Sequence, residues 1–530
     1  MAMQHMPDVK VLETGAKYWE WDHEAFSVQA YVPKAQAIAD VVNFGFRAPY
    51  LLVFPENKMT EKETAAFAEE KGFACIAARF SGSVVFVTPA DGKWANADEK
   101  LFAALIANSR IGQYYKDGVL LSRNRFTGEW GECFIRGAIF RTFIFAYGEA
   151  ADYVGRHLLQ TLEGQYLWGP GEITPVAAML EGMTKMPGIS RRDIPVVSSG
   201  NSEEINACLQ EKCDRVLIQR DEDIKAAFAF MNQFKRWCGV LEDEADMEAE
   251  GMAEEADVAW VKTSADHLGD EKDTESHAVG YLAYYRKELP EKGKMPLLLA
   301  FHGGGDSAYY ITHVSGWWRV ARRQGFLLVA VENHLNLTAT EVIELIEKLK
   351  EKYPIDENRI YASGFSMGGC KCWDLYQEYP EVFAALAPMD ATFEVGLNQY
   401  GQPATKGIND HTPVPLYYAG GEETPLPELP FQAEKCWDRI RYVFRVNDMK
   451  TTYDVQYEEK EKWKNPIWGI DGDKMRVYHD ENRNADLTVH YFESRDGVWR
   501  TALASISGQG HECREHTCEN AWLFMQQFTR

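Results

Sequence analysis

The stretch RIYASGFSMGGCKCWDLYQEY (359–379) decides the fold of the second half of the chain. Its first residues are typical of a buried strand, its last residues have a helical pattern, and G-x-S-x-G (364–368) lies between them. A strand that turns sharply into a helix projects the hydroxyl of the central serine above the sheet, and flanking glycines allow the close approach that this turn requires. The helix N-terminus also favours developing negative charge. Ser366 is therefore the candidate nucleophile.

Regular strand and helix patterns surround this turn on both sides. Apolar runs predict strands at 256–265, 277–289, 295–301, 326–333, 382–391, 414–421 and 487–494, and helical periodicity predicts helices at 315–326, 339–353 and 519–530. Strands that alternate with helices at this spacing form a mostly parallel sheet with helices on both faces. The predicted fold class is therefore α/β.

A glycine-rich turn follows the strand at 295–301. His302 is followed by three glycines, at the place where a loop after an early strand supplies one backbone N–H to bind an oxyanion. Gly304 is the first candidate for this donor, and Gly303 is the second. The other donor is expected to be the backbone N–H of Met367, the residue after the nucleophile.

A general base must follow the nucleophile in the chain. His511 lies in SGQGHE, between the last predicted strand and the last predicted helix, which is the expected place. His490 lies within a predicted strand and His516 near the start of the final helix, so both are weaker candidates.

The acid that orients this base is expected at the end of the strand VPLYYAGG (414–421). Glu422 and Glu423 both stand there, and Glu423 is preferred because T-P-L-P follows it. Asp390, at the end of the preceding strand, is a minor alternative. The sequence therefore predicts a catalytic triad of Ser366, Glu423 and His511.

The motifs HGGG, GFSMGG with FAALAPM, and GQGH before a terminal helix together resemble those of the polyhydroxybutyrate depolymerase and feruloyl esterase group of α/β-hydrolases. The resemblance implies hydrolysis of carboxylic esters, including feruloyl or other hydroxycinnamoyl esters, through an acyl-enzyme. Some fungal feruloyl esterases join cysteines beside the nucleophile and the histidine in a disulfide. Phe365 and Glu512 stand at those positions here, so this device is absent.

The first half of the chain repeats the second in a looser form. Five segments recur in the same order: 49–58 with 295–305, 66–78 with 319–331, 143–152 with 360–369, 194–204 with 414–423, and 227–236 with 521–530. This alignment puts Glu149 at the position of the nucleophile. No histidine lies between residues 194 and 240, so the first copy lacks a base.

The repeats and one acidic segment predict the domain organisation. Residues 241–256 are rich in acids and free of bases, which is typical of a solvated linker. The prediction is a degenerate, non-catalytic hydrolase-like domain at 1–240 and a catalytic domain at 257–530, in tandem. Support of the active domain, a lid, and formation of a homodimer are the roles left open for the first domain.

Composition limits the partners and the location. A formal net charge of −24 disfavours binding to nucleic acid or to anionic membrane surfaces. Ten scattered cysteines and the lack of a recognisable signal sequence favour a cytoplasmic protein. The cluster His511, Cys513, His516 and Cys518 is packed too closely along the chain to wrap one tetrahedral ion easily, so neither a metal nor another cofactor is expected.

Two other functions compete with a serine esterase. A serine peptidase of the oligopeptidase kind uses the same triad, but its second domain is commonly a propeller rather than an α/β repeat. A non-catalytic binding or scaffold protein is disfavoured by the intact triad in the second half. The aromatic residues near the site in sequence (Trp317, Trp318, Trp373 and Tyr309) weakly favour an aromatic acyl group, although core packing is the favoured explanation for each of them.

Overall fold

A computed structural model describes residues 10–34, 49–80, 82–108, 111–116, 119–123, 130–132, 138–159, 163–166, 169–172, 174–189, 191–237, 240–267, 270–288, 294–304, 306–481 and 483–530. The chain divides into two compact units, Met1–Asp246 and Met247–Arg530. Among the described residues, no helix is long and apolar enough to cross a membrane.

Unit 1 is an α/β unit. Its strands are β1 (Lys10–Val11), β2 (Lys17–Asp22), β3 (Phe26–Val32), β4 (Pro49–Phe54), β5 (Val84–Pro89), β6 (Ile111–Lys116), β7 (Val119–Arg123), β8 (Trp130–Glu132), β9 (Ala138–Tyr147), β10 (Glu163–Tyr166), β11 (Gly169–Glu172), β12 (Ala177–Glu181), β13 (Val196–Ser199), β14 (Val216–Gln219), β15 (Phe234–Trp237) and β16 (Val240–Asp243). Its helices are α1 (Glu61–Glu70), α2 (Phe73–Arg79), α3 (Glu99–Asn108), α4 (Glu149–Tyr153), α5 (Glu203–Lys212) and α6 (Ile224–Met231).

The main sheet of unit 1 has the order β1-β2-β3-β5-β4-β9-β12-β13-β14. The pairs β1–β2, β2–β3 and β3–β5 are antiparallel. The remaining pairs of this sheet, from β5–β4 to β13–β14, are parallel. Alternate residues of β4 enter two separate apolar clusters, so both faces of this sheet are covered.

Unit 2 is also an α/β unit. Its strands are β17 (Met252–Lys262), β18 (Ser276–Arg286), β19 (Met295–Phe301), β20 (Leu327–Val331), β21 (Ile355–Phe365), β22 (Ala385–Met389), β23 (Leu416–Gly421), β24 (Lys474–Asp480), β25 (Ala485–Phe492) and β26 (Thr501–Ile506). Its helices are α7 (Trp317–Gln324), α8 (Ala339–Lys352), α9 (Met367–Glu378), α10 (Glu434–Val446) and α11 (Glu515–Met525).

The sheet of unit 2 has the order β17-β18-β20-β19-β21-β22-β23-β26-β25-β24. Its centre, from β20 to β26, is parallel, and antiparallel strands extend both edges. The central strand β19 is buried on both faces, as expected for a parallel strand between helices. The carboxyl ends of β19, β21, β22, β23 and β26 therefore meet at one edge, where a ligand site is expected.

The acidic segment is not a linker along its whole predicted length of 241–256. Residues 252–256 belong to β17, which pairs with β18 over eleven residues. Glu255 accepts hydrogen bonds from Tyr285, Tyr353 and Lys352, so these contacts compensate part of its charge. The run of acids indicated a solvated segment, but part of it forms an edge strand, and edge strands tolerate charged residues.

Candidate active site

Ser366 occupies the turn between β21 and α9. Its backbone has φ 53° and ψ −119°, a strained conformation for a residue other than glycine. Its N–H donates to the carbonyl of Met389 (2.9 Å), and its carbonyl accepts from the N–H of Cys370 (3.0 Å). The structure thus has the strand–turn–helix expected from 359–379, with Ser366 partly exposed at the carboxyl edge of the sheet.

Two glycines make this turn possible. A Cβ atom at Gly364 would lie 2.1 Å from the carbonyl oxygen of Gly368, and one at Gly368 would lie 2.0 Å from that of Phe301. These distances are far below van der Waals contact, so β21, α9 and the end of β19 approach closely only because both positions lack a side chain. The same contacts bring the HGGG segment to the start of α9.

The two residues expected to supply the oxyanion donors are neighbours in the structure. A Cβ atom at Gly304 would lie 3.2 Å from Cγ of Met367. Gly303, the second candidate, faces Phe365 and Asp306 instead, at 3.1 Å from Phe365 Cδ1 and 2.7 Å from Asp306 Oδ2 by the same measure. Gly304 is therefore the glycine that adjoins Met367. The third glycine, Gly305, lies outside the described residues.

His511 lies between β26 and α11, beside the serine turn. Its ring centroid is 4.7 Å from that of Phe365, the residue before Ser366. His490 is in β25 and bonds Asn465 and the Gly472 N–H, and His516 is in the first turn of α11. Of the three candidate histidines, His511 is thus the one that the fold brings to Ser366.

The carboxylate that holds His511 is Glu428, so the sequence-based choice of Glu423 is corrected. Glu428 Oε2 lies 3.0 Å from His511 Nδ1 and accepts from Thr424 Oγ1 at 3.2 Å. Glu423 is exposed, and only its backbone meets the histidine loop, through a bond from its N–H to Gln509. Glu422 accepts from Ser505 Oγ. The loop after β23 folds back, and this return brings an acid five residues further on to the imidazole.

Asp390, the minor alternative, forms a carboxyl pair with Glu428. One side-chain ligand atom each of Asp390, Glu428 and His511 lies within 4.8 Å of the other two. Asp390 directly follows β22, with φ 44°, and accepts from the Gly421 N–H at 2.8 Å. Burial raises the pKa of Asp390 well above its usual range, and the charge of Glu428 raises it further. Burial also raises the pKa of Glu428, but the hydrogen bond and charge of His511 oppose that rise, so the surroundings favour Asp390 as the member of the pair that holds a proton.

Asp306 adds another carboxyl to the site. Burial raises the pKa of Asp306 to about 7, while the nearby charge of His511 lowers it. The loop beyond Asp306 is anchored by a hydrogen bond from the Ala308 N–H to Glu332 Oε2, at 2.7 Å. A carboxyl with a pKa near neutrality therefore faces the imidazole from the loop that follows the glycines.

The equivalent turn in unit 1 carries Gly148 at the nucleophile position, not Glu149 as the sequence alignment indicated. Gly148 has φ 55° and ψ −122°, and its N–H and carbonyl make the same bonds as Ser366, to the end of β12 and to the residue four positions on. A Cβ atom there would lie 2.9 Å from the carboxylate of Glu56. The turn is thus retained in unit 1 without a hydroxyl.

The remaining expectations concern cysteines and aromatic residues. Cys513 and Cys518 have their Sγ atoms 3.5 Å apart and are free thiols, as are Cys370 and Cys372. The four aromatic residues near the site in sequence are all buried: Trp317, Trp318, Trp373 and Tyr309. Their burial supports core packing rather than the lining of an acyl pocket.

The sheet order, the strained serine turn and the histidine that follows the last parallel strand give unit 2 the α/β-hydrolase fold. No protein-family model matches the chain. The chain is 30% identical over 243 residues to a bifunctional acetylxylan esterase/xylanase of Neocallimastix patriciarum. This match covers 44% of the chain and 31% of that protein, so the chain spans about a third of the relative's length.

The solved structures that align with part of this chain include a hydrolase and a feruloyl esterase module. The S-formylglutathione hydrolase of Staphylococcus aureus is 12% identical, with a TM-score of 0.32 over 52% of this chain and 97% of that one. The feruloyl esterase module from Clostridium thermocellum is 10% identical, with a TM-score of 0.32 over 52% of this chain and 89% of that one.

Proposed function

We propose that the protein is a serine hydrolase of carboxylic esters that acts through an acyl-enzyme. The observation that carries the proposal is the 3.0 Å contact between His511 Nδ1 and Glu428, on a histidine that adjoins the strained turn of Ser366. An oriented base beside a serine at a helix N-terminus is the arrangement that acyl transfer requires.

In the proposed mechanism, His511 removes the proton from Ser366 Oγ as this oxygen attacks the ester carbonyl. Glu428 holds the tautomer with a proton on Nδ1 and stabilises the imidazolium. The backbone N–H groups of Met367 and Gly304 bind the oxyanion. His511 gives the proton to the leaving alcohol, and a water molecule, deprotonated by His511, then releases the acid from Ser366.

The substrates in this proposal are small carboxylic esters, and the supporting resemblances point to three acyl groups. The sequence relative is named for its action on acetylxylan, which supports acetyl esters. The sequence resemblance to feruloyl esterases supports hydroxycinnamoyl esters as the second group. The sequence resemblance to polyhydroxybutyrate depolymerases supports the hydrolysis of soluble hydroxybutyrate oligomers.

Unit 1 is proposed to be a degenerate hydrolase fold in tandem with the catalytic one. The shared strand order and the matching φ, ψ and hydrogen bonds of Gly148 and Ser366 support a duplication. Gly148 has no nucleophilic atom, so unit 1 would be left to support the active unit, to act as a lid or to mediate a homodimer. A cytoplasmic location is part of this proposal, and the free thiols of the described cysteines support it.

A substrate panel with one active-site variant tests the proposal. p-Nitrophenyl esters of rising chain length, methyl ferulate, acetylated xylan and a hydroxybutyrate oligomer are compared with aminoacyl-p-nitroanilides. We expect ester turnover and labelling by a fluorophosphonate, both lost in Ser366→Ala. Labelling that survives in Ser366→Ala would refute the nucleophile, turnover of the anilides alone would favour a peptidase, and no turnover by a folded protein would favour a binding protein.

A further inference from the structure

A second cluster of titratable side chains lies in unit 2 outside the serine site. His267 follows β17, His277 is at the start of β18, and Glu341 is in the first turn of α8. These three side chains are buried, with 4%, 5% and 0% of their residue surface exposed. One nitrogen or oxygen atom from each lies within 4.8 Å of the other two. Such a spacing allows all three to contact one ion.

His277 offers an unused nitrogen to this cluster. Its Nε2 is buried, makes no hydrogen bond to any described residue, and lies 4.0 Å from Glu341 Oε2. His267 Nδ1 lies 2.9 Å and 3.0 Å from the two oxygens of Glu341. A buried nitrogen without a partner is costly, so a group that binds His277 Nε2 would relieve this cost.

The outer nitrogen of each imidazole faces an oxygen. His277 Nδ1 lies 3.1 Å from Thr263 Oγ1, and His267 Nε2 lies 3.4 Å from Glu271 Oε2. Metal-binding histidines are commonly held in this way, because the outer contact fixes the tautomer that presents the inner nitrogen to the ion. The inner nitrogens of both residues here face Glu341.

Glu341 is itself held in place on its other side. Its Oε1 accepts from the N–H and hydroxyl of Ser264, and its Oε2 accepts from the Thr338 N–H that begins α8. These donors orient the carboxylate, whose two oxygens also contact His267 Nδ1. An ion bound to Glu341 and His267 would therefore connect the loop after β17 to the N-terminus of α8.

We infer that His267, His277 and Glu341 form a site for a divalent transition-metal ion, with zinc as the best match. Two imidazoles and one carboxylate are ligands that zinc accepts, and a water molecule would complete a tetrahedral set. Binding releases the proton of His267 Nδ1 to solvent. The ion would fasten His267, after β17, and His277, at the start of β18, to α8, a structural role separate from ester hydrolysis.

Zinc binding by the full-length chain tests this inference. The protein is stripped with a chelator and dialysed, and zinc content and the thermal midpoint are measured after zinc is returned. The wild type is expected to hold one zinc ion per chain and to show a raised midpoint. His277→Gln is expected to lose both, and His490→Gln, which changes a buried histidine outside the cluster, is expected to keep both.

The alternative is a metal-free ion pair of protonated His267 with Glu341 and Glu271. His277 makes no hydrogen bond to that pair. In this alternative, His277→Gln would therefore change neither the zinc content nor the shift of the thermal midpoint on addition of zinc. A wild type without bound zinc, or a His277→Gln variant that retains it, would overturn the inference. If His277→Gln does not fold, Glu271→Gln keeps all three ligands and should weaken zinc affinity by about 10- to 100-fold.

Discussion

Glu428 lies 3.0 Å from His511, a residue 83 positions further along the chain, and it reaches the imidazole from the loop after β23 rather than from the end of the strand. Glu428 is 6% exposed, whereas Glu423 is exposed. Burial raises the pKa of Glu428, and the hydrogen bond and charge of His511 oppose that rise. The carboxylate is thus stabilised by the same imidazole that it orients.

Glu428→Gln is therefore expected to impair the proposed esterase far more than Glu423→Gln. The amide keeps the shape but no longer stabilises the imidazolium, and comparable changes in serine hydrolases lower kcat by about 10³- to 10⁴-fold. Steady-state kinetics on a p-nitrophenyl ester measure this. Glu423→Gln should stay within about twofold of the wild type, since its side chain is exposed and the change leaves its backbone bond to Gln509 in place. Equal losses in both variants would contradict the assignment of Glu428.

Asp390→Asn is expected to change how stability depends on pH. The pKa of Asp390 is raised in the folded protein, so the folded state retains a proton that the unfolded chain releases above about pH 4. The free energy of unfolding contributed by this group therefore falls as pH rises from that value through the folded-state pKa. Asparagine cannot ionise, so the variant should lose less stability than the wild type over this interval.

Urea unfolding midpoints measured at a series of pH values from about 4 to 9 check this prediction. Glu423→Gln serves as the control because it also removes one carboxylate, but from an exposed position. Parallel curves for the wild type and Asp390→Asn would show that Asp390 does not keep its proton in the folded state.

Gly364→Ala is expected to destabilise unit 2. The added methyl group would lie 2.1 Å from the carbonyl oxygen of Gly368, and a backbone atom cannot move aside as a side chain can. The loss should reach the upper end of the overpacking range, about 3 kcal/mol or more. Gly510→Ala is the matched control, since a Cβ atom there meets nothing within 4 Å. Similar unfolding midpoints for the two variants would contradict the proposed close approach.

Gly148→Ser in a Ser366→Ala background is expected to remain unlabelled by a fluorophosphonate. The new hydroxyl would enter the turn beside the carboxylate of Glu56, with no histidine between residues 194 and 240 to activate it. Gel-based labelling, with wild-type protein as the positive control, checks this. A labelled double variant would mean that unit 1 retains a working base.

The sequence was most informative where conformation depends on neighbouring residues. The turn at Ser366 follows from two glycines between a strand and a helix, and the place of His511 follows from the last strand and the last helix. Both patterns are local, so the elements on either side could be recognised without a structure.

Three features depended on geometry that the sequence does not contain. The acid was misplaced because the path of the loop 422–428 decides which carboxylate meets His511. The signal available in the sequence was that Glu428, which is buried in the structure, stands between Pro427 and Leu429-Pro430. The nucleophile position of unit 1 was misplaced by one residue because a gapless comparison does not give the register of β9. Residues 252–256 were read as linker because their partner strand is not visible in their own charges.

The glycine at position 148 has a consequence for the stability of unit 1. In unit 2 the backbone at Ser366 holds a conformation that costs about 1–3 kcal/mol for a residue with a side chain. Glycine adopts the same angles with little strain, so unit 1 keeps the bend and is relieved of its cost. Loss of the side chain at such a turn is therefore expected to be a stabilising step, and under the duplication proposed above unit 1 would have a thermodynamic reason to keep glycine there.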